Sequence, residues 1–262
     1  MHIDLSGRTA LITGGSRGLG LAMTRRFAAS GATVACVARH REVLDAAVAQ
    51  ADADAAEPGG VRGYVCDVRD AGALADLHHA VTGDLGPVDI VVNNAGTSAS
   101  GSFEDITDEQ WQDDLELKLL AAIRLIRLCL PSMKERGWGR IINVLNIGAK
   151  APGARSCPTA VSRAAGMAMT KAVAGEYGRY GILANSLNTG VLVTDQWHRL
   201  HQERSPETTY DEFLEATGSR VPVGRMGDPA EFAALACFLA SDAASYITGT
   251  SINVDGGLSP VV

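Results

Sequence analysis

Thr13-Gly14-Gly15-Ser16-Arg17-Gly18-Leu19-Gly20 restricts this chain more than any other segment. An apolar run, Thr9 to Ile12, precedes it, and a helix-like run, Leu21 to Ala29, follows. That order predicts a strand, a tight glycine turn and a helix start. Backbone N–H groups of such a turn approach a pyrophosphate closely, and the helix behind adds about half a positive charge. The rest of the chain repeats the strand–helix unit. Apolar runs predict strands at 9–13, 33–38, 62–67, 89–93, 139–144, 182–187 and 251–254. Helices are predicted between them, at about 18–29, 41–55, 71–83, 108–136, 158–179 and 228–240. Alternation of this kind gives a parallel sheet with helices on both faces and a ligand crevice at the strands' carboxyl ends. A capping box, Thr107 with Gln110, marks the start of the 108–136 helix. The stretch 192–227 is polar and long, and is read as irregular, a substrate loop or lid.

Bulk properties exclude several classes. The 262 residues fit one α/β domain, 1–262. A net charge of −7 argues against nucleic acid as a partner, which needs a basic face. No apolar run approaches the roughly 20 residues that span a bilayer, so no membrane is expected. Met1-His2-Ile3-Asp4-Leu5 does not read as a signal peptide, and the five cysteines are scattered. Both features suit a reduced, cytoplasmic protein without a disulfide or metal framework.

Three strand ends agree with the glycine turn. Cys66-Asp67-Val68 closes the third strand, Asn93-Asn94-Ala95-Gly96 the fourth, and Asn185 to Thr194 the sixth. Further on stand Pro222-x-Gly224-Arg225-x-Gly227-x-Pro229-x-Glu231 and Asp255-Gly256-Gly257. Together these resemble the short-chain dehydrogenase/reductase family over essentially the whole chain. The resemblance implies a single-domain Rossmann-type fold, doubly wound around a parallel seven-stranded sheet. It places a dinucleotide against Gly14, Ser16, Arg17, Gly18, Leu19 and Gly20 at the turn. Arg39, Asp67 and Val68 would stand at its adenosine end. Asn93, Ala95, Gly96, Arg163, Gly190, Val191 and Thr194 would complete the crevice. An acidic residue about 20 positions past the first glycine would bind the ribose hydroxyl of NAD. The second strand instead ends Val37-Ala38-Arg39-His40. Arg17 and Arg39 suit a 2′-phosphate, so NADP(H) is expected over NAD(H).

The family's proton chemistry is missing. The resemblance implies a catalytic tyrosine, a lysine four residues later, a serine 13 residues earlier and an asparagine on the preceding helix. Those positions hold Thr159, Arg163, Asn146 and Lys118. No tyrosine lies between Tyr64 and Tyr177, so sliding the alignment recovers none. Threonine is a far weaker acid than tyrosine, and arginine keeps its proton. Asn146 can polarise a carbonyl, and Arg163 can bind ribose hydroxyls or an anion. Lys118 becomes a proton donor if it is desolvated, and is otherwise a helix lysine with its head in water. Cys157 reads as a small packed residue. Asp195, Trp197, His198, His201 and Tyr210 belong to the predicted lid, where two histidines three apart make a weak metal site.

Three functions follow. One is an NADP(H)-dependent oxidoreductase on a small carbonyl or alcohol substrate, with a non-standard active site. The second is a non-redox lyase, isomerase or cyclase, and the third an inactive nucleotide-binding subunit. The family resemblance also implies a homo-oligomer, tetramer or dimer. In it the helices 108–136 and 158–179 would pack through small residues such as Ala160, Ala164, Gly166 and Ala168.

Overall fold

The computed structural model describes residues 3–57 and 59–262. Its first unit is β1 (Thr9–Thr13), α1 (Gly18–Ala29), β2 (Thr33–Ala38), α2 (Arg41–Asp52) and β3 (Val61–Val65). Next come α3 (Ala71–Leu85), β4 (Ile90–Asn93), β5 (Ser100–Gly101), α4 (Asp108–Leu115) and α5 (Ala121–Arg136). Then follow β6 (Gly139–Asn146), β7 (Cys157–Pro158), α6 (Thr159–Tyr177) and β8 (Ile182–Thr189). The chain closes with α7 (Gln196–Arg204), α8 (Tyr210–Gly218), α9 (Pro229–Ala240) and β9 (Ser251–Val254). Seven parallel strands run in the order β3-β2-β1-β4-β6-β8-β9. The order reverses between β1 and β4, which opens a crevice at their carboxyl ends.

The strand sequences explain the two layers. Alternate side chains of β1 face opposite ways, so Ala10 and Ile12 join one cluster and Leu11 the other. The first cluster packs under α1, α2 and α9 through Met23, Phe27, Leu44 and Phe232. The second packs under α3 and α5 through Leu74, Leu77, Leu125 and Met133. Tyr177 and Tyr180, at the far end of α6, pack against this second cluster. Among the described residues no helix is long and apolar enough to cross a membrane. All five cysteines are free thiols, and Cys157 alone among them is not buried.

Two expectations need correction. The 108–136 helix is not continuous: a π turn, Glu116–Leu120, separates α4 from α5. The Thr107–Gln110 capping box is present at its start. The 192–227 stretch is not irregular but carries α7 and α8. No residue of α7 is buried, so it lacks the apolar stripe by which a helix is recognised. A second capping box, Thr209 with Glu212, starts α8. His198 and His201 do share a face, against Tyr210, with ring centroids 3.9 and 5.7 Å away. Among the described residues no cluster could hold a metal ion.

Candidate active site

The turn after β1 is built by contact with itself. Gly14 and Gly18 have φ of +64° and +50°, a region that side chains rarely enter. A methyl group on Gly20 would lie 2.0 Å from the Gly14 carbonyl oxygen, so only glycine lets α1 start there. Gly20→Ala is expected to cost more than about 2 kcal/mol by steric displacement of backbone. Urea unfolding of the variant checks this, and an unchanged midpoint would overturn the close-approach argument. Ser16 is half-buried at the turn, and Leu19 packs back onto the core.

Thr13 and Asn94 tie the two crevice walls together. Thr13 Oγ1 accepts from the backbone N–H groups of Asn94 and Ala95, at 3.0 and 3.1 Å. The Asn94 amide donates to the Thr13 and Gly14 carbonyls at 2.9 and 3.1 Å. Asn94 lies inside the motif that sequence reading used, yet its side-chain role was not foreseen. Asn93 points elsewhere: its amide donates to Asn143, which donates to Thr170 of α6. Thr194 stands over the turn, 3.3 Å from where a Gly18 methyl would be. Gly190 donates its N–H to Val254, and Val191 accepts from Gly227, so this edge is tied to β9 and to the α9 approach.

The adenosine end is strongly charged. Arg17 and Arg39 are exposed. Arg69 grips Asp67 through Nε and Nη2, with Nη2 2.7 Å from Oδ2. The Arg69 hydrogen bonds hold the Asp67 carboxyl below its ordinary range. Val68 lines a narrow cleft that also reaches Thr13, Asn93, Ala95, Lys118 and Arg163.

The four substituted positions meet at this cleft or beside it. Lys118 lies on the π turn, and its side chain is 2% exposed. It pairs with Asp114 one turn earlier, whose side chain is also 2% exposed. Lys118 Nζ also donates to Thr159 Oγ1 at 2.8 Å. Thr159 accepts from the Ala99 N–H at 3.0 Å and donates its own proton to the Ala99 carbonyl at 2.6 Å. The threonine hydroxyl is therefore a closed structural link, with no proton directed at a ligand. Ser162 donates to the other oxygen of Asp114 at 2.6 Å. Asp114 and Ser162 escaped sequence reading, since an i,i+4 Asp–Lys pair normally signals an exposed helix face.

Burial pulls the Lys118 ammonium below the ordinary lysine value; Asp114 opposes this and Arg163 adds to it. Arg163 reaches back to the sheet, where Nη1 donates to the Val144 carbonyl. Its Nε is buried without a hydrogen-bond partner among the described residues, and so is Asn146 Oδ1. Burial also disfavours the charged form of Arg163, with Asp114 opposing. Gly96 sits between the two cations: a methyl there would lie 3.0 Å from Arg163 Nη2 and 3.7 Å from Lys118 Cγ.

Comparison with known proteins agrees with this architecture. A family model described as enoyl-(acyl carrier protein) reductase matches residues 14–259. The 3-oxoacyl-(acyl-carrier-protein) reductase of Vibrio cholerae is 34% identical over 256 residues, 98% of this chain and 99% of its own. The L-sorbose reductase of Gluconobacter frateurii, solved with NADPH and L-sorbose, superposes with a TM-score of 0.93 at 32% identity, covering 100% of both chains. An NADPH-bound short-chain oxidoreductase of Pseudomonas aeruginosa, described as containing an atypical catalytic centre, superposes with a TM-score of 0.91 at 33% identity. That likeness covers 99% of this chain and 100% of the other.

Proposed function

The chain belongs to the short-chain dehydrogenase/reductase family, and we propose that it is an NADP(H)-dependent reductase of a small carbonyl substrate in which Lys118 replaces the tyrosine as proton donor. The crevice fits the dinucleotide on its own geometry. Gly14, Gly18 and Gly20 leave the start of α1 bare, and α1 carries neither a side-chain cap nor an acidic residue in its first turn. Its free N–H groups suit a pyrophosphate. Arg17 and Arg39 suit the 2′-phosphate that distinguishes NADP(H). Bound there, NADPH supplies a hydride.

The observation that carries this reading is the exchange of roles between Thr159 and Lys118. The hydroxyl of Thr159 is closed, and a buried ammonium stands beside it. Lys118 spends one N–H on Asp114 and one on Thr159, and the third has no acceptor among the described residues. In this reading that N–H serves the substrate oxygen. Asp114 is a positioning residue: it fixes the ammonium, and Ser162 fixes Asp114. Reduction adds hydride to the carbonyl carbon and the Lys118 proton to its oxygen, giving an alcohol. Water then reprotonates the amine.

NADPH oxidation against a panel of aldehydes and ketones tests the reading. Turnover of at least one small carbonyl is expected, and tight NADPH binding with no turnover would reject it. Fluorescence titration tests the cofactor choice separately. NADPH is expected to bind more tightly than NADH. Arg39→Ser should weaken NADPH roughly tenfold, the loss of one charge-assisted contact, while NADH is little changed. Equal losses for both would remove Arg39 from phosphate recognition.

A further inference from the structure

The π turn that carries Lys118 is held from its outer side as well. A π turn has one residue more than an α turn, and that residue rotates the helix beyond it by about 100°. The insertion therefore sets where Lys118 points. Glu116, the first residue of the turn, is tied in both directions. Gln112 Nε2, in α4, donates to its Oε1 at 3.0 Å. Arg124 Nη1, in α5, donates to its Oε2 at 2.6 Å. One carboxylate thus bridges the helix before the turn to the helix after it. The Arg124 hydrogen bond holds the Glu116 carboxyl below its ordinary range, so the bridge stays charged at neutral pH.

Arg124 has a second acceptor, the Arg69 main-chain carbonyl, at 3.2 Å. Arg69 is the residue that grips Asp67. It also stands 3.8 Å from Asp113, the neighbour in sequence of the Asp114 that pairs with Lys118. The loop after β3 is therefore tied to α4 through Asp113 and to α5 through Arg124. Val68, within that loop, lines the same narrow cleft as Leu117 and Lys118. A half-exposed ion pair adds little stability by itself. The position of this one matters more, because it joins the strand end given to the adenosine to the turn that aims the proton donor. Coupling between two sites needs an element with two arrangements that both sites bias, and a π turn against a regular turn is such an element.

We propose that Arg124 is a positioning residue that couples cofactor binding to the aim of Lys118. The loop Asp67 to Arg69 is fixed once NADP(H) is held there. Arg124 carries that restraint to Glu116, and so to the turn. This rests on the reductase reading above and adds to it a donor whose aim is firmest when the cofactor is in place.

Hydrogen exchange of the full chain, followed by mass spectrometry with and without saturating NADPH, tests the proposal. NADPH is expected to slow exchange across Glu116–Leu120 at least about fivefold, and less than about twofold in Arg124→Met. Methionine keeps the side-chain stem and loses both hydrogen bonds. Arg124→Lys, which keeps the charge and loses the fork, should fall between. Each protein is saturated separately, so differences in affinity do not enter. A purely structural ion pair would speed exchange with and without NADPH alike and leave their ratio unchanged. Unchanged exchange in β8 establishes that the variants fold. Equal slowing in Arg124→Met, or no slowing in the unaltered chain, would overturn the proposal. Carbonyl turnover is measured on the same samples. Arg124-dependent slowing without turnover upholds the coupling while the reductase reading fails. Turnover with slowing that ignores Arg124 does the reverse, and an absence of NADPH binding rejects both.

Discussion

Lys118→Met is expected to lower the reduction rate by about 10²–10⁴-fold, the usual contribution of a general acid. Methionine fills the space of the lysine stem and carries no proton. The pH profile distinguishes loss of an acid from loss of shape. Reduction consumes the proton of the charged amine, so the rate is highest where Lys118 is protonated. It falls as pH rises through the Lys118 pKa. Burial, partly offset by Asp114, sets that pKa below the ordinary lysine value, so the fall begins earlier than for an exposed lysine. Lys118→Arg should remove the alkaline fall altogether, because arginine keeps its proton throughout the measurable range. The measurement is kcat against pH with saturating NADPH. An alkaline fall that is unchanged in Lys118→Arg assigns the proton to another group.

The strand–helix alternation carried most of the fold into view, for a physical reason. Strands such as β1 and β4 are buried on both faces and read as short apolar runs bounded by glycine or asparagine. The π turn did not show, because one extra residue in a helical turn leaves the apolar spacing of α5 almost unchanged. Yet that turn carries Lys118, and it is where the site departs from expectation. The helices of 192–227 were hidden by the opposite effect. α7 buries nothing, so its helical spacing has no apolar signal, although Thr209-x-x-Glu212 does mark the start of α8.

At the site itself, the sequence located the four substituted positions but not their contacts. Thr159 read as a weakened acid; the structure shows its proton committed to Ala99. Lys118 read equally as an acid or a solvated helix lysine, and its burial removes the solvated reading. Asp114 and Ser162 had no signal, because their burial depends on α6 closing over α4. Such packing comes from residues some 48 positions apart in the chain, as in the Ser162–Asp114 bond.

The buried pair should also govern stability, in a pattern that separates its structural role from its catalytic one. Asp114→Leu leaves the Lys118 ammonium in the interior with only the Thr159 oxygen as acceptor. Breaking a buried ion pair from one side costs about 3–5 kcal/mol. That is a large share of the roughly 5–15 kcal/mol by which a domain is stable. Lys118→Met is expected to cost a similar amount, since Asp114 would keep only the Ser162 hydroxyl. The double variant, Asp114→Leu with Lys118→Met, should recover most of the loss, because both charges leave together and two apolar side chains of matching size pack in their place. Ser162 retains the Thr159 carbonyl as an acceptor at 3.1 Å, so its hydroxyl is not stranded. Urea unfolding of the two single variants and the double gives the coupling directly. Losses that simply add would mean that Asp114 and Lys118 do not interact. A double variant restored in stability but without reductase activity separates the two roles: the pair is dispensable for folding, and its charge is kept for the proton transfer.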